Sequence, residues 1–175
     1  CKNVKENVGL LDMTAFAKCR IKGPKAEEFL DKLVANKLPK KVGRINLCHA
    51  LNTKGGVHSE FTIMREAEDS FYLVSAGAFQ RLDHDWILKW MPNDGSVQFE
   101  NLTNSNGVLV VSGPKSRELM QRVSKDDFSN ENFKWLSSKM VDVGYAPVNA
   151  MRVNFVGELG WELHHPMEYQ NHIFD

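Results

Sequence analysis

Apolar and polar residues alternate along several short stretches of the chain, which is the pattern of strands with one buried face. Turns rich in residues that tolerate positive φ separate some of these stretches, notably Asn52–Gly56. The predicted strands are Phe16–Ile21, Ile45–Leu51, Val57–Met64, Ser70–Ser75, Val97–Leu102, Gly107–Ser112, Val141–Val143, Ala150–Val156 and the stretch WELHHP.

Helical spacing of apolar residues appears in two other stretches. Pro24–Val34 has apolar side chains at positions 26, 29, 30, 33 and 34, and its proline suits the first turn of a helix. Ala78–Met91 shows the same periodicity and is followed by Pro92, which ends it. The final stretch, EYQNHIFD, is typical of the beginning of a helix, so the chain is expected to be a piece of a longer protein.

One short motif occurs twice. KGPKAEEFL at 22–30 and SGPKSRELM at 112–120 share Gly, Pro, Lys and one Glu in register, and each follows a predicted strand. Two such units predict an α+β fold of two pseudo-related lobes, about 8–100 and about 101–175, with antiparallel or mixed sheets and packed helices. The alternative is that Gly-Pro-Lys recurs because proline is common at the first helical position.

Composition narrows the class of partner. The 175 residues contain 22 Lys plus Arg and 22 Asp plus Glu, so no net field favours nucleic acid or an anionic membrane surface, and a small or neutral partner is expected. The three cysteines form neither a disulfide framework nor a zinc motif, which favours reduced thiols in an intracellular compartment. No apolar run is long enough for a membrane helix, and no signal peptide is recognisable.

Two carboxylates attract attention as candidate functional groups. In GGVHSEFTIM, alternation places Glu60 with His58, Thr62 and Met64 on the face opposite Phe61. An ordinary solvated outer face accounts for such a residue more simply than a site does.

In VGELGWELHH, the second carboxylate, Glu162, faces away from whatever Trp161 and Leu163 pack on. Aimed into a pocket, it would accept two N–H donors from a ligand such as a pterin or guanine. A hairpin rim with solvated acids is an equally simple interpretation.

Familiar catalytic and binding motifs are missing from the sequence. The six histidines show no zinc-binding spacing, so no metal site is predicted. No GxGxxG, GxxxxGK[ST] or GxSxG motif appears, which argues against nucleotide-phosphate cradles and serine hydrolase elbows.

Four ordered stretches resemble a known family. They are VGLLDMTAFAKCRIKG, LNTKGGVHSEFTI, VLVVSGPKSREL and RVNFVGELGWELHHP. In that order they resemble the folate-binding domain of the glycine-cleavage aminomethyltransferase (T-protein) family, and most closely the C-terminal portions of dimethylglycine and sarcosine dehydrogenases. The resemblance extends over nearly the whole chain, from about Val8 to the end.

The resemblance implies a tetrahydrofolate site. It places Glu60 at the reacting end of folate, near the bridging nitrogen, as the catalytic residue, and Glu162 at the pterin ring as a hydrogen-bond acceptor. It also implies cofactor-binding positions at Phe155, Met64 and Trp161. Three departures stand out: Glu60 replaces an Asp, Phe155 replaces a Tyr that touches folate, and Ala76 replaces an Asn at the pterin.

The implied activity is one-carbon transfer, in which tetrahydrofolate receives a methylene unit from an N-methyl-derived iminium or formaldehyde to give 5,10-methylenetetrahydrofolate. The expected partners are folate, a methylamine-type substrate and other domains of a longer enzyme, with no nucleic acid and no membrane. FAD is expected only on a part of that enzyme absent from this chain, as are a folate-contacting Arg and a barrel-like C-terminal domain. The isolated chain is expected to be inactive, and its compartment to be the bacterial cytoplasm or the mitochondrial matrix.

Two alternatives to this interpretation stay open. One is a non-catalytic homologue that uses the same fold for protein contacts, resembling the regulatory subunit of pyruvate dehydrogenase phosphatase. The other is a tetrahydrofolate-dependent demethylase acting on a different methyl donor.

Overall fold

The computed structural model describes all residues, 1–175, and the chain divides into two compact units. The first unit comprises Ala15–Thr103. The second combines the N-terminal segment Cys1–Thr14 with Asn104–Asp175. No helix in either unit combines the length and apolar character needed to cross a membrane.

The first unit is a five-stranded antiparallel sheet whose core face is covered by helices. Its strand order is β3-β4-β5-β2-β6. The buried face of α2 and the side chains of β2, β4 and β5 form one continuous hydrophobic core. The elements are β2 (Ala17–Lys22), α2 (Ala26–Leu33), β3 (Ile45–Leu51), β4 (Val57–Ala67), β5 (Ser70–Ser75), a 3-10 turn (Gly77–Phe79), α3 (Gln80–Trp90) and β6 (Gln98–Asn101).

The second unit has its own sheet and its own hydrophobic core. Its strand order is β1-β7-β10-β9-β8, and every strand pair is antiparallel. The elements are α1 (Lys2–Glu6), β1 (Gly9–Asp12), β7 (Asn106–Ser112), α4 (Ser116–Val123), β8 (Ser138–Val143), β9 (Ala146–Met151), β10 (Gly160–Pro166), a 3-10 turn (Met167–Tyr169) and α5 (Gln170–Phe174).

The two units repeat one topology. Read from its other edge, the second sheet runs β8-β9-β10-β7-β1, which matches β3-β4-β5-β2-β6 strand for strand. In each unit, the strand next to one edge of the sheet, β2 or β7, leads through Gly-Pro into a helix. A later strand, β5 or β10, leads through a 3-10 turn into a second helix. The duplication predicted from the Gly-Pro-Lys motif is therefore present in the fold, and both sheets are antiparallel rather than mixed.

The N-terminal segment lies differently from the expected lobe of about 8–100. Strand β1 pairs with β7, from Gly9 opposite Ser112 to Asp12 opposite Leu109. It takes the edge position that β6 holds in the first unit, so residues before Ala15 complete the second sheet. Neither α1 nor β1 was predicted from the sequence.

The predicted strand Ala150–Val156 is wrong in its position. Strand β9 occupies Ala146–Met151, and the chain leaves the sheet at Arg152. The backbone of Arg152 bonds instead to Leu136 and Ser137, at 3.1 and 2.8 Å. Alternating apolar residues at 153–156 belong to a loop, where they satisfy the strand pattern without strand pairing.

The repeated glycines make a testable contribution to stability. Gly23 and Gly113 have φ of +128° and +133°, and a Cβ on either would lie 2.4 Å from the carbonyl oxygen of Ser96 or Asn7. We expect Gly23→Ala or Gly113→Ala to lower the free energy of unfolding by about 2–3 kcal/mol, since strain and a backbone clash combine. Chemical denaturation of the intact protein measures this.

Gly95 supplies the matched control for these two substitutions. It also has positive φ, +78°, but a Cβ there would meet nothing within 4 Å. Gly95→Ala should therefore cost only the conformational strain, about 1 kcal/mol. Equal losses at Gly23, Gly113 and Gly95 would contradict the role assigned to the backbone contacts.

Candidate functional site

Glu60 lies on the β3–β4 hairpin of the first unit. Leu51 pairs with Val57, but Ala50 pairs with Ser59, so β4 carries one extra residue, His58, in a β-bulge. The bulge shifts the register by one and places Glu60 directly opposite His49. Without it, the same turn would set Glu60 opposite a buried cysteine.

The Glu60 carboxylate is bound on one side only. Its Oε2 lies 2.9 Å from His49 Nε2, while Oε1 has no hydrogen-bond partner in the protein. The His49 backbone N–H donates to Asn36 Oδ1 at 2.7 Å, and His49 Nδ1 lies 3.3 Å from the same oxygen. Half of the Glu60 side chain, 49%, is exposed, so a ligand can reach Oε1.

The hairpin also explains why Glu60 is accessible. Pairing between β4 and β5 begins only at Thr62, opposite Val74, so the part of β4 that holds Glu60 pairs with β3 alone. Phe61 and Ile63 point into the core, as the alternation predicted. Met64 lies on the same face of β4 as Glu60, four residues further along, and is buried.

The prediction that His58 shares the face of Glu60 is wrong. The bulge turns His58 toward the helix side of the sheet, where its ring packs at a tilt against Trp86 of α3 with centroids 4.0 Å apart. The same irregularity leaves Val57 exposed instead of in the core. Strict period-two alternation fails at a bulge because two residues of one strand oppose one residue of the other.

Glu162 lies on β10, flanked by β7 and β9 in the sheet of the second unit. Its side chain points away from the core that holds Trp161 and Leu163, as predicted. The residue is only 7% exposed. Oε2 lies 3.1 Å from Nε2 of His164, two residues along the same strand, and Oε1 has no partner in the protein. A nearly buried carboxylate with a free oxygen is suited to accept N–H donors from a ligand.

Trp161 has a different position from the one expected of a cofactor-binding residue. Its ring is fully buried in the core of the second unit, with the rings of Phe128 and Phe133 at centroid distances of 5.2 and 5.9 Å. Arg117 and Arg152 place guanidinium carbons 5.8 and 5.7 Å from it. Alternation along β10 sends Trp161 and Glu162 to opposite faces, so the tryptophan supports the strand from behind and does not face a ligand beside Glu162.

Phe155 lies on the loop that joins β9 to β10. It is 87% exposed, and the neighbouring Val156 is exposed as well. Asn154 fastens the loop, because its Nδ2 donates to Ser112 Oγ at 2.8 Å and its Oδ1 accepts from the Val156 N–H. The loop therefore presents an aromatic ring to solvent from an anchored base.

Sequence reasoning missed the polar partners of both carboxylates. His49 and Asn36 carry no motif, and His49 meets Glu60, and Asn36 meets His49, only through strand register or loop position, whereas His164 follows Glu162 on the same strand. Histidine two residues after Glu162 was a usable signal, since i and i+2 share a face in a strand. The pairing of His49 with Glu60 was not readable, because it depends on the bulge.

The two buried cysteines, Cys19 and Cys48, offer no nucleophile. All three cysteines of the chain are free. Burial raises the pKa of the Cys19 thiol to about 12, with a smaller contribution from the charge of Asp83, and raises that of Cys48 to about 11. Both thiols therefore stay protonated and unreactive near neutral pH.

Comparison with a solved structure identifies the fold. The chain superposes on the glycine cleavage system aminomethyltransferase T from Bartonella henselae with a TM-score of 0.85, at 20% sequence identity, over 99% of this chain and 46% of that one. The two units therefore adopt the aminomethyltransferase fold.

Sequence comparison then assigns the family. The chain belongs to the GCVT N-terminal domain family, whose profile matches residues 1–175. It is 37% identical over 175 residues to mitochondrial dimethylglycine dehydrogenase of Homo sapiens, covering 99% of this chain and 20% of the relative. It is 31% identical over 177 residues to the mitochondrial pyruvate dehydrogenase phosphatase regulatory subunit of Mus musculus, covering 99% of this chain and 20% of the relative. The chain thus spans about a fifth of the length of these relatives.

Proposed function

We propose that the chain is a tetrahydrofolate-binding, one-carbon transfer module of a demethylase that resembles dimethylglycine and sarcosine dehydrogenases. When bound, tetrahydrofolate would supply two nitrogens that accept a methylene unit from formaldehyde or an iminium, giving 5,10-methylenetetrahydrofolate. The observation that carries the proposal is the carboxylate of Glu162, which is nearly buried, points away from the core and keeps Oε1 unpaired.

Glu162 is suited to bind the pterin part of the ligand. A pterin presents neighbouring N–H donors, and a carboxylate can accept two of them in a fork. His164 holds Oε2 in place, so the side chain is oriented before the ligand arrives. Phe155, which is exposed in the same unit, is proposed to add an apolar contact, whereas Trp161 packs behind Glu162. Met64 is buried in the first unit and stays a prediction as a folate contact.

Glu60 is the proposed catalytic residue. Its Oε1 is unpaired and accessible, while Oε2 is fixed by His49. A carboxylate at the reacting nitrogens would take up the proton released when the ring closes and stabilise the positive charge that develops there. Positioning would supply much of the remaining rate, because an amine nitrogen is already nucleophilic.

Binding of tetrahydrofolate to the intact protein is the direct test. Isothermal titration calorimetry is expected to give a saturable signal with a dissociation constant below a millimolar. Absence of any saturable heat at millimolar ligand would rule out the folate proposal.

Glu162→Gln is expected to weaken tetrahydrofolate binding about tenfold to a hundredfold, because a hydrogen bond to a charged acceptor contributes roughly 1.5–3 kcal/mol. The matched control is Glu158→Gln, which removes a charge from the same turn without touching the β10 strand. Equal affinities for the Glu162→Gln variant and the unsubstituted protein would contradict a pterin contact at this position.

The setting of the module is also a proposal. FAD and the oxidation of the N-methyl substrate are assigned to other parts of a longer enzyme, which the relatives' greater length supports. The amine substrate would be delivered by those parts, and the isolated chain would be inactive. The human relative is named as mitochondrial, which supports a mitochondrial location, and we propose the mitochondrial matrix or, in a bacterium, the cytoplasm as the compartment.

A second candidate function is a non-catalytic regulatory or scaffold role. The similarity to the phosphatase regulatory subunit favours it, as do Phe155 and Ala76 in place of polar folate partners. The accessible Glu60 carboxylate favours the enzyme, since a scaffold has no use for a carboxylate fixed on one side and open on the other. If the protein binds tetrahydrofolate but transfers no methylene unit, the result favours the second candidate. The same result would rule out a demethylase of any methyl donor.

A further inference from the structure

A cavity of about 330 Å³ lies in the first unit, on the helix side of its sheet. Its walls come from three elements: α2 with Phe29 and Leu33, the end of β3 and the following turn with Leu51 and Asn52, and α3 with Trp86 and Trp90. Phe29 and Leu33 share a core with Phe61, whereas Glu60 lies on the opposite face of β4. The cavity is therefore separate from the carboxylate sites described above.

The interior of the cavity is apolar, and part of it is open to solvent. Phe29 and Leu33 are buried, but Trp90 is 52% exposed and Leu51 is 39% exposed. Apolar side chains gathered in a concave site are typical of ligand-binding clefts. Small-molecule sites enclose roughly 300–1,000 Å³, so this one is suited to a single ring system rather than to a segment of protein.

Trp86 forms a wall that is already in position. His58, the bulge residue, packs at a tilt against its ring with centroids 4.0 Å apart. Trp90 meets the same ring edge-on at 5.7 Å. Because neighbours on the sheet and on the helix hold the indole, a ligand would lose little free energy in ordering it.

The polar groups around the cavity are mainly donors and cations. Asn52 Oδ1 accepts the backbone N–H groups of Lys54 and Gly56 at 2.9 and 3.1 Å, which fixes the amide and leaves Nδ2 as a donor without a partner in the protein. No carboxylate is among the side chains that line the cavity.

Two lysines add positive charge at the cavity. Lys32 lines it, and its Nζ is paired with Glu28 of the same helix at 2.6 Å. Lys89 Nζ lies 5.5 and 5.1 Å from the ring centroids of Trp86 and Trp90 and has no carboxylate partner. An anionic group on a ligand would therefore find an unneutralised cation beside the aromatic wall.

We propose that this cavity binds a small aromatic carboxylate, with its ring against Trp86 and Trp90 and its carboxylate accepting from Asn52 Nδ2. The proposal is independent of folate binding and of methylene transfer. Paired aromatic rings can also bind N-methylated cations. Such a ligand is disfavoured here, because Lys89 already lies over both rings and no carboxylate lines the cavity.

Calorimetric titration of the intact protein with three indoles of similar shape tests this inference. Indole-3-acetate is expected to bind saturably with a dissociation constant below a millimolar, indole-3-acetamide about tenfold more weakly, and tryptamine not measurably, because the three differ in charge. No saturable heat with indole-3-acetate at millimolar concentration would overturn the proposal, as would equal or tighter binding of the amide or the amine.

Asn52→Asp tests the position of the carboxylate. It keeps an oxygen for the two backbone N–H groups of the turn but replaces the Nδ2 donor with a second acceptor. We expect indole-3-acetate to bind at least about tenfold more weakly, because a donor to a charged group is lost and repulsion is added. Unchanged affinity in this variant would contradict the contact.

Trp90→Ala tests the aromatic wall. Trp90 is half-exposed, so its removal should leave the unit folded while indole-3-acetate binds about tenfold more weakly. The matched control is Trp135→Ala, at a half-exposed tryptophan of the second unit, where affinity should not change. Equal affinities for both variants would overturn the assignment to this cavity, and so would displacement of indole-3-acetate by tetrahydrofolate.

Discussion

Replacing Glu60 with glutamine is expected to lower the rate of 5,10-methylenetetrahydrofolate formation about a hundredfold or more, while tetrahydrofolate affinity changes only a few-fold. Glutamine has nearly the same shape but neither takes up a proton nor carries a charge. General acid–base groups contribute roughly 10²–10⁴ in rate, and stabilisation of developing positive charge is lost with them. Single-turnover formation of product in the intact protein, at saturating folate, measures the step without the contribution of binding.

Two further variants sharpen this test. Glu68→Gln removes an exposed carboxylate from the turn after β4 and serves as the matched control, with unchanged rate expected. Glu60→Asp keeps the charge but shortens the side chain, so it should lose contact with His49 and recover only part of the rate. If Glu60→Gln transfers methylene as fast as the unsubstituted protein, the catalytic role of Glu60 is wrong.

Most of the fold was readable because it depends on local patterns. Periodicity located the strands of the first unit to within a residue or two at most ends, as for Ile45–Leu51 and Ser70–Ser75. The repeated Gly-Pro-Lys motif indicated a duplication because a helix that starts in this way needs the same backbone in each copy. The edge strand β1 was not predicted, because its four residues show no clear alternation. Its position is fixed by pairing with β7, about a hundred residues away.

The site was less readable because it depends on register and on non-local pairing. Alternation gave the orientation of Glu162 correctly, because β10 is regular along its whole length. It failed at His58, where a single extra residue changes which side chains share a face and which residue opposes Glu60. Nothing in the local sequence distinguishes a bulged hairpin from a regular one with a longer turn, so His49 emerged only from the structure.

Trp161 shows how a motif can combine two functions in adjacent residues. In the stretch GELGWEL, the tryptophan and the following glutamate belong to opposite faces of one strand, so a resemblance that covers both does not place both at the ligand. The ring fills the centre of a core built from Phe128 and Phe133. Its Nε1 has no hydrogen-bond partner, so the side chain contributes through packing and through its ring contacts with Arg117 and Arg152.

Trp161→Ala is therefore expected to lower the stability of the second unit by about 3–5 kcal/mol, the range for removing a large buried aromatic side chain. Hydrogen exchange of the β7 and β10 amides in the intact protein resolves this loss from the first unit's stability. Trp135→Ala, at a half-exposed tryptophan of the same unit, should cost far less.

Trp161→Phe separates packing from ligand contact. It keeps an aromatic ring in the core and loses no hydrogen bond, because Nε1 makes none, so we expect a smaller loss of stability and tetrahydrofolate affinity within a few-fold of the unsubstituted protein. The stability loss should appear in the β10 amides, which also hold Glu162 in place. If a folded Trp161→Phe variant no longer binds tetrahydrofolate, Trp161 contacts the ligand and its assignment to packing behind β10 is wrong.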